Sequence, residues 1–205
     1  MPEFPLKFVG GHPALDFVNT VAWPEPMGER LTSYERLVRW SEAAGLLARS
    51  SATRLLARAR REPSGATAAL ARALSDRILL HRLFARRSAG QLESSDLRDL
   101  NRALRDIAPR RHLSASGHAI AWAWQIDDDL ESPLWPVIWS AAELLASDEA
   151  AQIRMCPGDG CGWMFVDQSR NGLRRWCEMQ TCGTVAKSRR RATSKQPSRA
   201  ADKSR

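Results

Sequence analysis

Residues 156–191 read CPGDGCGWMFVDQSRNGLRRWCEMQTCGTVAKSRRR and hold all 4 cysteines of the 205-residue chain. The cysteines form two matched pairs, Cys156 with Cys161 and Cys177 with Cys182, each pair spanning four intervening residues, and 15 residues separate the pairs. Short loops of this kind let four thiolates converge on one tetrahedral ion, and the segment between them is long enough for a hairpin that brings the pairs together. The expected ion is zinc, one per chain, held by Cys156, Cys161, Cys177 and Cys182. Two disulfides are the rival reading. The opening MPEFPLKFVGGHPALDF has no basic segment followed by an apolar one, so no export signal is read and a cytoplasmic, reducing location is expected. Four cysteines close a tetrahedral shell and leave no position for water or substrate, which makes the expected metal structural.

Charge concentrates on the same stretch. Residues 170–205 carry 11 Lys and Arg against Glu178 and Asp202, a net +9; the rest of the chain carries 20 basic and 21 acidic side chains, a net −1. A localised basic excess is the footprint expected for a polyanionic partner. The bland alternative is a solvated basic tail. Within the motif, the glycines after Cys156 suit a tight turn that aims backbone amides at sulfur, Trp163, Phe165 and Val166 read as a short strand, and residues 186–192 read as a helix. Knuckle, hairpin and helix then follow the order of a treble-clef finger over residues 151–193, with a basic tail at 194–205.

Upstream, residues 1–150 read as a mainly α domain, a helical bundle carrying one small β-hairpin. No run of 18 apolar residues occurs, so no membrane span is expected. After the turn signal Gly10, Gly11, His12 and Pro13, residues 14–23 show helical spacing, with Leu15 and Val18 inward and Asp16 and Asn19 sharing the other face. Asp16 and Asn19 either line a ligand pocket or serve as capping and inter-helix hydrogen-bond partners. Thr32 and Glu35 read as a capping box ahead of Leu37, Trp40 and Ala44, with Gly45 ending the helix. A helix over 51–61 is broken by Pro63, Ser64 and Gly65; a long one follows over 66–89 with Leu70, Leu74, Ile78, Leu80, Leu83 and Phe84 inward and Gly90 as its stop. Ser94 caps the next, whose stripe is Leu97, Leu100, Leu104 and Ile107. The arginines interleaved here, Arg77 among them, read as solvated faces.

The period changes to two over His118, Ile120, Trp122, Trp124 and Ile126, the mark of a strand. Ser116 and Gly117 allow a hairpin that would lay this Trp face over the helices. Trp122 and Trp124, with Trp135 and Trp139, either fill core or wall a small-molecule pocket. Asp127, Asp128 and Asp129 read as a turn, since the ligand alternation of a calcium loop is missing. Ser132 and Pro133 read as N-cap and first residue of a helix through Ala146, joined to Cys156 by a short linker.

Taken together, Leu15-Asp16-Phe17-Val18-Asn19-Thr20, Ser140-Ala141-Ala142-Glu143-Leu144-Leu145, Cys161-Gly162-Trp163, Asp167-x-Ser169-Arg170-Asn171, Arg175-Trp176-Cys177 and Lys187-x-Arg189-Arg190 resemble a bacterial family with an N-terminal ABATE domain and a C-terminal CGNR-type zinc finger, described as stress-induced transcription regulators. The chain departs from the family at the tetrad that names the finger, where Thr184 and Val185 stand for asparagine and arginine. The resemblance implies a helical domain that senses a small molecule or stress signal and a finger that binds DNA. The candidate nucleic-acid contacts are Arg170, Arg174, Arg175, Lys187, Arg189, Arg190 and Arg191; the candidate ligand contacts are Asp16, Asn19, Trp122 and Trp124. The alternatives are an RNA-binding or protein-interaction module using the same basic surface, and an enzyme in the helical domain. No nucleophile–base pair, phosphate loop or open metal site supports the last.

Overall fold

The computed structural model describes residues 5–23, 28–117, 119–126 and 129–194, with side chains other than those of residues 116 and 190–194. Seven α-helices lie among them: α1 (Pro13–Val18), α2 (Tyr34–Ala43), α3 (Arg49–Arg61), α4 (Pro63–Ser88), α5 (Arg98–Ile107), α6 (Trp135–Ala146) and α7 (Thr184–Ser194). Two antiparallel ribbons complete the fold, β1 (Arg111–Ser116) with β2 (Ala119–Trp124), and β3 (Ile153–Met155) with β4 (Met164–Val166). The protein is mainly helical with small two-stranded sheets, as the sequence pattern predicts.

Helix α1 is the centre. His12 caps it, its ring nitrogen accepting from the Ala14 amide, and Pro13 opens it. Every residue from Ala14 to Val18 is buried, as expected of a helix surrounded on all sides. It packs against α4, α6 and β4. The last of these belongs to the finger, and the hydrophobic core runs without a break from α1 through α2, α4 and α6 to Trp163, Met164, Phe165, Val166, Cys156 and Cys177. No linker precedes Cys156: residues Asp148–Gln152 form a 3-10 turn, Ala150 and Ile153 are buried, and β3 leads directly into the first cysteine.

Several local expectations shift. Ser33, not Thr32, caps α2, accepting from the Arg36 amide at 3.2 Å. Glu62 makes the break after α3, and Pro63 starts α4 instead of interrupting it, because a first-turn proline forfeits no helical bond. The buried face of α4 is Ala66, Ala69, Ala73, Asp76, Arg77, Leu80, Leu83 and Phe84; Leu70 and Leu74 pack partly buried beside it, while Ile78 is 55% exposed. Alanines set this face by allowing close approach. Arg77, read as solvated, is buried: its guanidinium donates to both Glu29 oxygens at 2.8 and 2.5 Å and to the Thr20 hydroxyl at 2.7 Å. A Glu93–Asp96 capping box, not Ser94, precedes α5. Ser132 lies in a 3-10 turn, Ser132–Leu134, and makes no cap bond.

The β1–β2 ribbon also differs. Its register pairs Leu113 with Trp122 and Arg111 with Trp124. Trp124 sits 6.3 Å from Trp135 and 5.9 Å from Trp139, centroid to centroid, so the inner end packs. Leu113, Ile120 and Trp122 are mostly exposed; the ribbon projects from the helices and does not lie over them. His118, Asp127 and Asp128 fall outside the described residues.

Candidate metal centre and the basic finger surface

The first cysteine pair is held by a turn between β3 and β4. Cys156 donates its amide to the Trp163 carbonyl at 2.7 Å, and Cys161 donates to the Gly158 carbonyl at 3.0 Å. Gly158 is required by space, since a Cβ there would stand 2.9 Å from the Cys182 sulfur. Gly162 follows at φ +60°, and its Cβ would fall 2.7 Å from the Trp23 Cβ. That close approach is the seam between finger and helices: Trp23 donates its amide to the Cys161 carbonyl at 2.9 Å, and the Trp163 indole donates to the Val21 carbonyl at 2.8 Å.

The second pair is set by the loop between β4 and Cys177. Asp167, buried, accepts from the Ser169 amide and hydroxyl and from the Arg174 amide. These bonds, the Ser169 hydroxyl first, hold its carboxyl below the usual carboxylate range. Arg174 then locks the loop to the N-terminal segment: its guanidinium lies 4.2 Å from the Phe165 ring centroid and donates to the carbonyls of Trp176, Val9 and Cys177. Cys182 arrives in a π-helical turn, Met179–Gly183, that runs straight into α7.

The four sulfurs lie within 4.8 Å of one another. Cys161 and Cys177 are 3.6 Å apart, Cys177 and Cys182 3.7 Å, far beyond a disulfide length of about 2.05 Å. A zinc–sulfur bond of about 2.3 Å places tetrahedral neighbours about 3.8 Å apart, so the spacing fits zinc. Hydrogen bonds from the Cys161 and Cys177 thiols hold Cys156 well below the usual thiol range, and the same bonds push Cys161 and Cys177 up. Sulfurs this close do not all ionise by themselves; a divalent cation is what lets four thiolates share the space.

A helical N-terminal part joined to a four-cysteine cluster is the arrangement that the comparisons with known proteins identify. The ABATE profile, described as "Putative stress-induced transcription regulator", matches residues 11–148, and the CGNR zinc finger profile matches residues 152–194. The chain belongs to the ABATE family. Its finger is a CGNR zinc finger whose four cysteines could hold one metal ion. Neither family is one of enzymes. No curated protein matches the chain.

In this ABATE protein the candidate contact residues divide. Arg170, Arg175, Lys187 and Arg189 are exposed, Arg189 with its guanidinium 2.9 Å from Asp159. Arg174 points its donors at backbone carbonyls and serves the loop. The side chains of Arg190 and Arg191, and the tail from 195, lie outside the described residues. Thr184 donates its hydroxyl to the Met179 carbonyl at the start of α7, and Val185 is 51% exposed.

Asp16 and Asn19 are both buried in the seam. Asp16 accepts from the Gly10 amide at 2.7 Å; Asn19 accepts from the Met164 amide and donates to its carbonyl, both at 2.8 Å. These are hydrogen-bonding roles, the alternative to a pocket in the sequence reading, with the Asp16 partner in the segment before α1 and the Asn19 partner on the finger, neither on another helix. Trp122 stands on the exposed ribbon, with the Arg111 guanidinium 5.2 Å from its ring, and Trp124 packs on Trp135 and Trp139. Cavities of about 520 and 480 Å³ on the helical part are lined by other residues, Arg58, Glu62 and Arg110 in one and Arg72, Asp76 and Arg102 in the other. Sequence reasoning missed Asp167 and Arg174 as organisers of the finger. The Asp-x-Ser pattern, a common local hydrogen-bonded turn, was the available signal for the first.

Proposed function

We propose that the finger binds DNA and that the protein is a cytoplasmic, zinc-dependent transcription regulator whose helical part receives a small-molecule or stress signal. The observation that carries this reading is the charge division, a net +9 over residues 170–205 against −1 elsewhere. Exposed Arg170, Arg175 and Lys187 on a rigid finger would engage phosphates and fix the register. Among the described residues no helix is long and apolar enough to cross a membrane, which agrees with this reading. A signal received by the helical part would reach the finger through α1, since Asn19 is bonded directly to β4.

The test is duplex binding by fluorescence anisotropy across a salt series, comparing the zinc-loaded chain with an Arg170→Ala/Arg175→Ala/Lys187→Ala variant. Loss of three phosphate contacts lowers the magnitude of the log–log salt slope by about 3. An unchanged slope at equal zinc content removes these residues from the interface. Mapping of bound sites in cells by the tagged chain, with no site enriched, sinks the regulator reading.

A further inference from the structure

Beside the cysteine cluster, the first knuckle, residues 175–176 and the start of α7 enclose a cleft of about 830 Å³, within the roughly 300–1,000 Å³ range of small-molecule sites. Trp176, Pro157, Val185 and Ala186 give it apolar walls, and Arg175 and Arg189 line it as well. Its chemistry is therefore an aromatic face, aliphatic sides and two guanidinium groups. Arg175 lies 5.9 Å from the Trp176 ring centroid, the far limit of a cation–π contact. Arg189 pairs with Asp159 at 2.9 Å, and with side chains 63% and 75% exposed the pair is one that an incoming anion can displace at little cost.

We propose that this cleft takes an unpaired nucleobase, stacked on Trp176, with the adjoining phosphate on Arg175 and Arg189 in place of Asp159. The inference rests on the nucleic-acid reading above and narrows it. A base within a duplex is paired and stacked on both faces and cannot enter; one in a single strand, a bulge or a loop can. Aromatic stacking accepts any base, so the cleft selects strandedness before sequence. Gly158 and Cys182 both line the cleft and meet so closely that a Cβ on Gly158 would stand 2.9 Å from the Cys182 sulfur, so the cleft keeps its shape only while the cysteines hold their positions. Val185 controls its free volume. It is half exposed on α7, and a longer side chain at this position fills the cleft without touching the core.

The experiment uses the zinc-loaded full chain, Val185→Arg and Val185→Gln, with zinc content measured for each. Labelled single strands of about 12 nucleotides, one DNA and one RNA, are compared with a duplex of the same length. Val185→Arg is the discriminating variant because size and charge act in opposite directions. The expected result is about a tenfold loss of single-strand affinity with duplex affinity unchanged or raised, and a loss at least as large in Val185→Gln, which adds size without charge. A loss confined to the DNA strand or to the RNA strand identifies which one the cleft accepts. If Val185→Arg instead raises single-strand and duplex affinity alike, the cleft stays empty in the complex and the proposal fails, while the basic finger reading stands. If no version binds any of the three probes, both fail.

Discussion

Asp16, buried, and His81, half-buried, are displaced in ways whose contributions to the pH response oppose each other. Burial pushes the Asp16 carboxyl up to about 6 from its ordinary 3.8, and burial pulls His81, stacked 3.8 Å from Trp23, down to about 4 from 6.5. Between pH 4 and 6 the folded chain keeps a proton on Asp16 that the unfolded chain releases, so this group lowers stability as pH rises. Over nearly the same window the unfolded chain protonates His81 and the folded chain does not, so that group raises stability as pH rises. Each effect amounts to at most about 3 kcal/mol, at about 1.4 kcal/mol per tenfold change in proton affinity. Relative to the unaltered chain, Asp16→Asn gives a stability that climbs more steeply from pH 4 to 6.5, and His81→Phe gives one that falls. Urea midpoints at half-unit pH intervals check both. Parallel shifts in the two variants would refute the opposition. The motif containing Asp16 is readable in the sequence, but its burial is not, because α1 is enclosed by α4, α6 and β4, all distant in sequence.

At the level of elements, helices were legible where one local signal sufficed. Gly45 and Gly90 end α2 and α4 in the left-handed conformation, at φ +72° and +70°. The face a helix buries was less legible. On α4 the stripe through Leu70, Leu74 and Ile78 lies at the edge of the buried face, with Leu70 and Leu74 partly buried and Ile78 exposed, while its centre falls to alanines that admit neighbours and to Arg77, whose partners Glu29 and Thr20 are distant in sequence. The β1–β2 alternation likewise predicts a strand but not what covers it. The four-cysteine site was legible because its spacing is local; its docking was not, because α1 and β4 meet through Asn19 across 145 residues. That joint gives a sharp expectation. Asn19→Asp keeps the size and the acceptor for the Met164 amide but cannot donate to the Met164 carbonyl when ionised, and it buries a charge. Loss of about 3 kcal/mol by chemical denaturation is expected, at least as large as for Asn19→Ala. A neutral effect of either change would mean that the seam is not under load.

For the molecule as a whole, the shared core makes the metal a concern of every element. Cys156 and Cys177 are buried in the same cluster as α1, α4 and α6, so chelation removes a support of the helical part and not of the finger alone. Calorimetry of the zinc-loaded chain is expected to show one transition, and stripping the metal is expected to lower its midpoint by more than 10 °C, on the order of the shift that a few kcal/mol produce in a chain of this size. Two separate transitions, with the upper one indifferent to metal, would show that the helices stand by themselves.

The position of α1 also bears on how the protein is made. Asn19 is synthesised 145 residues ahead of Met164, which satisfies both ends of the Asn19 amide. At typical elongation rates that interval is on the order of 10 seconds. Throughout it the nascent chain carries an apolar helix whose last neighbour does not yet exist. Closure of the core around α1 therefore waits for the finger, and a chain whose finger is not yet built presents that helix uncovered on its β4 side.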